Sequence, residues 1–373
     1  MANPAAPFCF LDIDSSFGAP RFRLHWLQML DAKALMQKAL AQAQKGTRKV
    51  RPNPRVGCVF ELIGGECVEG FHEECGGAHA ERNALAKIKA LKLSAKDARV
   101  AITLEPCSHT GKTPPCVDAL IDEKVSEVIV PFCDPNPLVS GEGLRKLKGA
   151  GIKVQTGVCK SESYLLNREW LWSKILQRPF VTLKIASSKN STGVAVGRKW
   201  ITSIKSRQHS MALRARVDVL VTSGETLRAD DPALTARDEL GKNLPNQARV
   251  IVFSRTKDLG AAKKILEHPH WEWHESTDLE MSLKAFAAQG VFDVMVECGP
   301  DLAACFLNSH LVDEIWHYEA QLDLDGKAYD LTQLSKNFDL VEKIQIDEEN
   351  IFFKYLLKER SESAFFNTQT TCF

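Results

Sequence analysis

Nowhere in the 373 residues does an apolar run approach membrane-spanning length, for which about 20 consecutive apolar residues are needed. Surplus charge is missing too. The 48 Lys and Arg against 47 Asp and Glu leave a formal +1, so no broad field draws the chain to nucleic acid. The 11 cysteines are odd in number and lack the close spacing of a disulfide-stapled miniature domain. A chain of this length folds without such staples, so they read as reduced thiols of a cytoplasmic protein. The N-terminus has no basic region of a secretory signal, and Asp12 and Asp14 interrupt the short apolar patch Phe8-Cys9-Phe10-Leu11. No Gly-x-Gly-x-x-Gly occurs, which removes the main support for a Rossmann dinucleotide fold. What remains is an ordinary globular composition, 44% apolar and 25% charged, in a length that suits two domains.

Hydrophobic periodicity orders the chain. Residues 31–45 carry Leu35, Met36, Ala39, Leu40 and Ala43 on one helical face, and Gly46 ends the helix. Arg51-Pro52-Asn53-Pro54 is a proline-pinned turn that holds the Asn53 amide in front of a strand. Strands are expected at 56–62, 67–71, 99–104, 125–131 and 152–157, with helices from 78, over 117–124 and over 141–150. That alternation is a layered α/β domain. A helix over 161–177 follows, and Arg178-Pro179 breaks it. Strands at 180–186, 218–223, 248–254 and 292–297 then start a second domain, with a helix ending at 216 and another opening after Cys298-Gly299-Pro300. Residues 224–237, dense in Asp, Arg and Thr, read as a loop.

The residues that carry chemistry begin with His79-Ala80-Glu81, a weak signal alone. Pro106-Cys107 at a strand end and Cys116 at a helix start complete it. One imidazole and two thiolates hold a zinc ion and leave a coordination position open. A helix N-terminus favours the thiolate form. Glu81 is then free to move protons. The alternative is a closed structural zinc site that recruits Cys75 or His72 as a fourth ligand. The other cysteines read as core or surface thiols.

This set resembles the cytidine-deaminase-like zinc deaminases, most of which place the cysteines as Pro-Cys-x-x-Cys. Here eight residues, Ser-His-Thr-Gly-Lys-Thr-Pro-Pro, separate them. With Pro52-Asn53-Pro54-x-Val56-Gly57, that insert resembles one branch: the bifunctional riboflavin-biosynthesis deaminase/reductase family. The resemblance implies His79, Cys107 and Cys116 as zinc ligands, Glu81 as proton shuttle, and Asn53, His72, His109 and Lys112 as substrate contacts.

Trp200-Ile201-Thr202, residues 226–237 and Glu297-x-Gly299-Pro300-x-Leu302 resemble the reductase half of the same family, a dihydrofolate-reductase-like fold. The resemblance covers residues 31–355. It implies Ala186, Trp200, Thr226, Asp230, Gly299 and Pro300 at the NADPH site, and Arg198, Arg214, Leu234, Arg237 and Glu297 at the substrate. A guanidinium fork suits a substrate phosphate. Two departures stand out. The family reads Ser-Leu-Asp-Gly where this chain has Ser188-Lys189-Asn190-Ser191, and Asp301 stands where its Gly-Pro-Thr pattern has a threonine. A carboxylate beside a phosphate weakens binding, so a reductase half with reduced NADPH affinity is one expectation.

The expected organisation is an N-terminal extension over 1–28, a zinc-dependent deaminase domain over 29–160, a linker helix over 161–178, an NADPH-dependent reductase domain over 179–360 and a tail over 361–373. The implied activity is deamination of 2,5-diamino-6-ribosylamino-4(3H)-pyrimidinone 5′-phosphate, then reduction of the ribosyl side chain to ribityl. The expected partners are a small-molecule substrate and copies of the chain in a homo-oligomer, with no nucleic acid and no membrane. Competing readings are a deaminase of another nucleotide with a degenerate reductase domain, and a non-catalytic scaffold. The near-zero net charge and the long cysteine insert oppose the first. Glu81 opposes the second, because a scaffold has no use for it.

Overall fold

The structure, a computed structural model, describes residues 9–12, 23–26, 29–109, 114–136 and 139–369. It divides into two compact units, the first running to Asn167 and taking in Gln369 near the C-terminus, the second running from Arg168 to Thr368.

In the first unit, β1 (Cys9–Asp12) pairs antiparallel with β2 (Arg23–Trp26). Next comes α1 (Ala32–Ala43), started by the Asp31 carboxylate, which accepts the Ala34 amide at 2.6 Å. A mixed sheet follows: β3 (Gly57–Glu61), β4 (Cys67–Phe71), β5 (Arg99–Ile102), β6 (Glu127–Ile129) and β7 (Lys153–Gln155), in the order β4-β3-β5-β6-β7. The helices α2 (Ala80–Ala90), α3 (Cys116–Asp122) and α4 (Glu142–Gly149) alternate with the strands. Every residue of β3 is buried because both faces of the sheet are covered. Cys58 and Phe60 join a core with Ala84, Leu85, Val117 and Leu144. Val59, pointing the other way, joins Leu35, Met36, Ala39 and Leu166. Two glycines permit the close packing. A Cβ at Gly57 would lie 2.0 Å from the Ala39 carbonyl oxygen, and one at Gly70 would lie 2.4 Å from that of Ala80.

The unit boundary falls inside α5 (Lys160–Leu176), where Asn167 has a non-helical backbone, φ −129° and ψ 21°. The Asn167 amide exchanges two hydrogen bonds with the Arg55 backbone, accepting from N–H at 3.0 Å and donating to C=O at 2.8 Å. The helix is expected from sequence; the break in it is not.

The second unit is built on β8 (Phe180–Ser188), with β9 (Thr192–Ala195), α6 (Ile204–Arg216), β10 (Val219–Ser223), α7 (Gly224–Asp230), β11 (Arg249–Phe253), β12 (Trp271–His274), α8 (Leu279–Ala288), β13 (Asp293–Glu297) and α9 (Pro300–Asn308). The chain finishes with β14 (Glu314–Ala320), β15 (Gly326–Ala328), α10 (Leu334–Asn337), β16 (Phe338–Asp347), β17 (Asn350–Leu357) and α11 (Glu362–Thr368). The eight-stranded sheet runs β12-β11-β10-β13-β8-β14-β17-β16, its first six strands parallel. Val181, Leu183 and Ile185 of β8 face a core with Phe286, Phe306 and Leu307. On the opposite face, Leu220, Val250, Val252 and Met295 pack with Leu213 and Val217 of the α6 region.

The structure corrects one expectation here. The stretch read as a loop from 224 begins with α7, because Ser223 Oγ accepts the Thr226 amide at 3.1 Å and starts a helix. The C-terminal stretch holds α11, where the fully buried Phe365 meets the Trp172 ring edge-on, centroids 6.0 Å apart.

Candidate active sites

Three elements converge on the first site. His79 is the N-cap of α2 with extended backbone, φ −70° and ψ 164°, so its ring leaves the helix before the helical rotation begins. Cys107 follows β5, and Cys116 is the first residue of α3. His79 Nδ1 lies 3.5 Å from Cys107 Sγ and 3.4 Å from Cys116 Sγ. All three ligand atoms fall within 4.8 Å of one another, and this cluster of described residues contains no fourth donor. Two sulfurs and one imidazole nitrogen at that separation fit a tetrahedral zinc ion with one position open. Cys75, one suggested fourth ligand, is not in this cluster, and His72, the other, is otherwise engaged: Asn53 Nδ2–H donates to its Nε2 at 3.0 Å, and its Nδ1–H donates to the Ala78 carbonyl at 3.1 Å.

The surroundings favour that donor set. The Cys107 thiol is pulled down to about 4, first by the hydrogen bond from Cys116, against its own burial, with His79 helping. Cys116 is raised by the same bond, since it keeps the shared proton. A bound dication removes that proton as well. The Cys116 backbone N–H also donates to Cys107 Sγ at 3.3 Å. Glu81, 3% exposed on the first turn of α2, has its carboxyl raised by burial and then by the Cys107 charge. Such a group can accept and return a proton.

Two further side chains set the ligand loops. Arg82 donates to the carbonyls of Pro114, at 3.3 and 3.1 Å, and Pro115, at 3.0 Å, just before Cys116. Buried Glu105, just before Pro106-Cys107, accepts the backbone N–H groups of Asp134, Gly141 and Gly143 at 2.9 Å and of Leu144 at 3.4 Å. Sequence reasoning missed both, although a glutamate in an otherwise apolar strand end was a readable signal. Asn53 and His72 stand beside the metal ligands, the His72 and His79 rings meeting edge-on at 5.5 Å. His109 is exposed on the loop after Cys107. Lys112 lies outside the described residues.

The second site gathers at the C-terminal ends of the parallel strands of the second unit, where open α/β sheets take their ligands. Glu297, closing β13, accepts from Arg214 Nε at 2.9 Å and from Lys184 Nζ at 3.1 Å. Burial alone would raise its carboxyl, but Arg214 and Lys184 outweigh that and hold it down to about 2. Arg214 also donates to the Thr235 carbonyl at 3.2 Å, and Arg237 Nε donates to Thr235 Oγ1 at 3.0 Å. Neighbouring Leu234 is buried in left-handed backbone, φ 54°. Arg214, Leu234, Arg237 and Glu297 thus form one patch. Arg198 does not join these contacts: it is exposed, and its Nε donates to the Trp200 carbonyl at 2.7 Å.

Of the residues expected at the cofactor, Thr226 Oγ1 accepts the Gly299 amide at 3.2 Å, which ties α7 to the start of α9 at Pro300. Asp230 has its carboxyl raised by burial, offset by Lys199 and Lys184. Trp200 is half exposed, with the Arg207 guanidinium 4.3 Å from its ring centre. Ala186 sits on β8 opposite Tyr318 of β14. Thr222, fully buried at the end of β10, has a hydroxyl with no hydrogen-bond partner among the described residues. A glycine turn into a helix, an orphaned hydroxyl and a desolvated carboxylate are donors and acceptors that fit a phosphate-bearing dinucleotide. Lys184 was missed from sequence; a lone lysine in the apolar run 180–186 was its signal.

Comparison with known proteins covers both units. The zinc-binding region of cytidine and deoxycytidylate deaminases matches residues 29–131. The RibD C-terminal domain matches residues 179–322. The riboflavin biosynthesis protein RibD of Escherichia coli K12 is 36% identical over 334 residues, 80% of this chain and 90% of the relative. A solved structure of Acinetobacter baumannii RibD is 31% identical with a TM-score of 0.75, covering 88% of this chain and 99% of that one. The diaminohydroxyphosphoribosylaminopyrimidine deaminase/5-amino-6-(5-phosphoribosylamino)uracil reductase of Thermotoga maritima is 29% identical with a TM-score of 0.72, covering 87% of this chain and 98% of that one.

Proposed function

Because this chain belongs to the RibD family of bifunctional riboflavin-biosynthesis enzymes, which join a zinc deaminase to an NADPH-dependent reductase, we propose that it deaminates a diaminopyrimidine ribosyl phosphate and then reduces the ribosylamino side chain of the product. The observation that carries the reading is the convergence of His79, Cys107 and Cys116 within 4.8 Å beside the buried Glu81 carboxylate.

In this reading His79, Cys107 and Cys116 hold the zinc. When bound, zinc supplies the Lewis acidity that brings a water's pKa toward neutrality. Glu81 takes one proton from the attacking water and passes it to the ring nitrogen, then carries the remaining hydroxyl proton to the departing ammonia. Its burial keeps the carboxylate basic enough for both transfers. Asn53 and His72 form a wall of fixed hydrogen-bonding polarity for the pyrimidine, and His109 and Lys112 come from the sequence between the two cysteines.

At the reductase site NADPH supplies the hydride. Lys184 and Arg214 keep Glu297 ionised, so its carboxylate accepts from sugar hydroxyls. Arg214 and Arg237, joined through Thr235, bind the substrate phosphate, with Leu234 packed beside them; Arg198, which stands apart from this patch, is assigned to the substrate by the family resemblance alone. Ala186, Trp200, Thr226, Asp230, Gly299 and Pro300 line the cofactor. Among the described residues no helix is long and apolar enough to cross a membrane, and a cytoplasmic location completes the reading. So does self-association, for which β16 offers an edge with Leu340 and Val341 half exposed; sedimentation velocity tests that point.

The test of the whole is incubation with the diaminopyrimidine ribosyl phosphate, with and without NADPH, while ammonia and NADPH absorbance are followed. The expected result is ammonia release in both tubes and NADPH oxidation in one. Ammonia alone restricts the chain to deamination. Neither signal from zinc-loaded protein refutes the reading.

A further inference from the structure

Two departures noted in the sequence meet in one segment. Ser191 takes left-handed backbone, φ 65°, a conformation natural to glycine and strained for serine. Next to it, Asn190 Nδ2 donates to the Leu324 carbonyl at 2.9 Å, and Asn190 Oδ1 accepts the Leu324 amide at 3.1 Å. This turn therefore grips the chain just before β15. Tyr329, just after β15, donates its hydroxyl to the Cys298 carbonyl at 2.9 Å, and its own amide to the Ser191 carbonyl at 2.9 Å. Gly193 leaves room for that ring, since a Cβ there would lie 2.1 Å from it. β15 is thus fixed at both ends against the turn that opens α9.

That anchoring sets Lys327 against Asp301. The Lys327 ammonium pairs with the Asp301 carboxylate on the first turn of α9. Both side chains stay open to solvent, 48% and 61% exposed. The carboxylate that the sequence placed against a cofactor phosphate is therefore neutralised by a cation from elsewhere in the chain.

Resting on the reading of the Gly299 turn as a cofactor phosphate site, we infer that Lys327 is a binding residue for a phosphate of NADPH and that Asp301 competes with that phosphate for its ammonium. With both present, an arriving phosphate meets attraction and repulsion of similar size. Removing either one leaves the other unopposed. Two unit charges about 4 Å apart in water interact by roughly a factor of five in affinity, and salt screens them because both are exposed.

The experiment is equilibrium titration of the full chain with NADPH, followed by nicotinamide fluorescence without substrate, at low and at high salt. Lys327→Met should raise the Kd about fivefold and Asp301→Asn should lower it about fivefold, with the double variant near the unaltered chain and all differences shrinking at high salt. A misfolded variant cannot mimic this, because the two substitutions move the Kd in opposite directions. If the unaltered chain binds NADPH but Lys327→Met binds it equally well, the inference is overturned and the reductase reading stands. If Asp301→Asn weakens binding, competition is overturned. If the unaltered chain binds no NADPH, both fall.

Discussion

Glu105 accepts the Gly143 amide at 2.9 Å, and Gly143 has no space for a side chain, because a Cβ would lie 2.4 Å from the Pro106 carbonyl oxygen. The residue that precedes the Pro106-Cys107 ligand segment is thereby locked to the start of α4. Glu105→Ala strands four buried amide donors and should destabilise the chain by about 2–4 kcal/mol. Gly143→Ala should press on Pro106 and weaken zinc retention against a competing chelator. Urea unfolding and chelator competition measure these; unchanged values for both variants would remove Glu105 from the support of the metal site.

Glu81→Gln preserves volume and hydrogen bonding but removes the group that carries protons. Zinc content should stay at the wild-type level while ammonia release falls by at least about a hundredfold. Metal analysis beside a rate assay separates the two. Persisting ammonia release would reassign the proton transfer.

Asn53→Ala leaves His72 Nε2 without its donor. Deamination kcat/KM should drop about tenfold with zinc content unchanged. An equal loss of zinc would place the Asn53–His72 pair in metal retention instead.

Glu297 sets a testable acid limb. Its folded pKa, about 2, lies below the ordinary 4.5 of a glutamate. Its pairing therefore stabilises the fold fully above the ordinary value and progressively less as pH falls toward 2. Over that window, urea midpoints of the unaltered chain should fall more steeply than those of Glu297→Gln. Parallel curves would show that the Lys184–Glu297–Arg214 contacts contribute no linked protons.

Chelation should stop ammonia release and expose Cys107 and Cys116 to thiol reagents, while NADPH binding by the second unit persists. Each unit has its own buried core, so loss of zinc from one leaves the other folded. Loss of NADPH binding in the chelated protein contradicts this.

Much of the first site was legible because zinc chemistry uses few residue types, and their order along the chain survives as text. The face of α1 was legible for a related reason: Leu35, Met36, Ala39 and Leu40 repeat at helical spacing and are all buried. The second unit was legible in part: β8, β10, β11, β13, the end of α6 and the start of α9 stand where the sequence put them, and other elements do not. α7 exists through the Ser223 cap, a short-range signal that sequence reading passed over, and through the bond from the Gly299 amide to Thr226, a contact that no local pattern announces. β14 mixes His and Glu into a half-polar strand whose partners, β8 and β17, lie far along the chain, so its pairing carries no local signal. Phe365 is buried by Trp172, nearly two hundred residues earlier. The Lys327–Asp301 pair is of the same kind: the carboxylate was visible in sequence, its counterion was not.

One amide bond has a consequence for how the metal centre is lost. The N–H of Cys116 points at the sulfur of Cys107, 3.3 Å away, so the residue providing one thiolate also steadies the other. A shift in the α3 start moves a ligand and withdraws a donor in the same event. The thiolates are therefore kept or surrendered jointly, and zinc titration should trace a single sharp transition with no half-ligated plateau. Damage to this centre has no mild form.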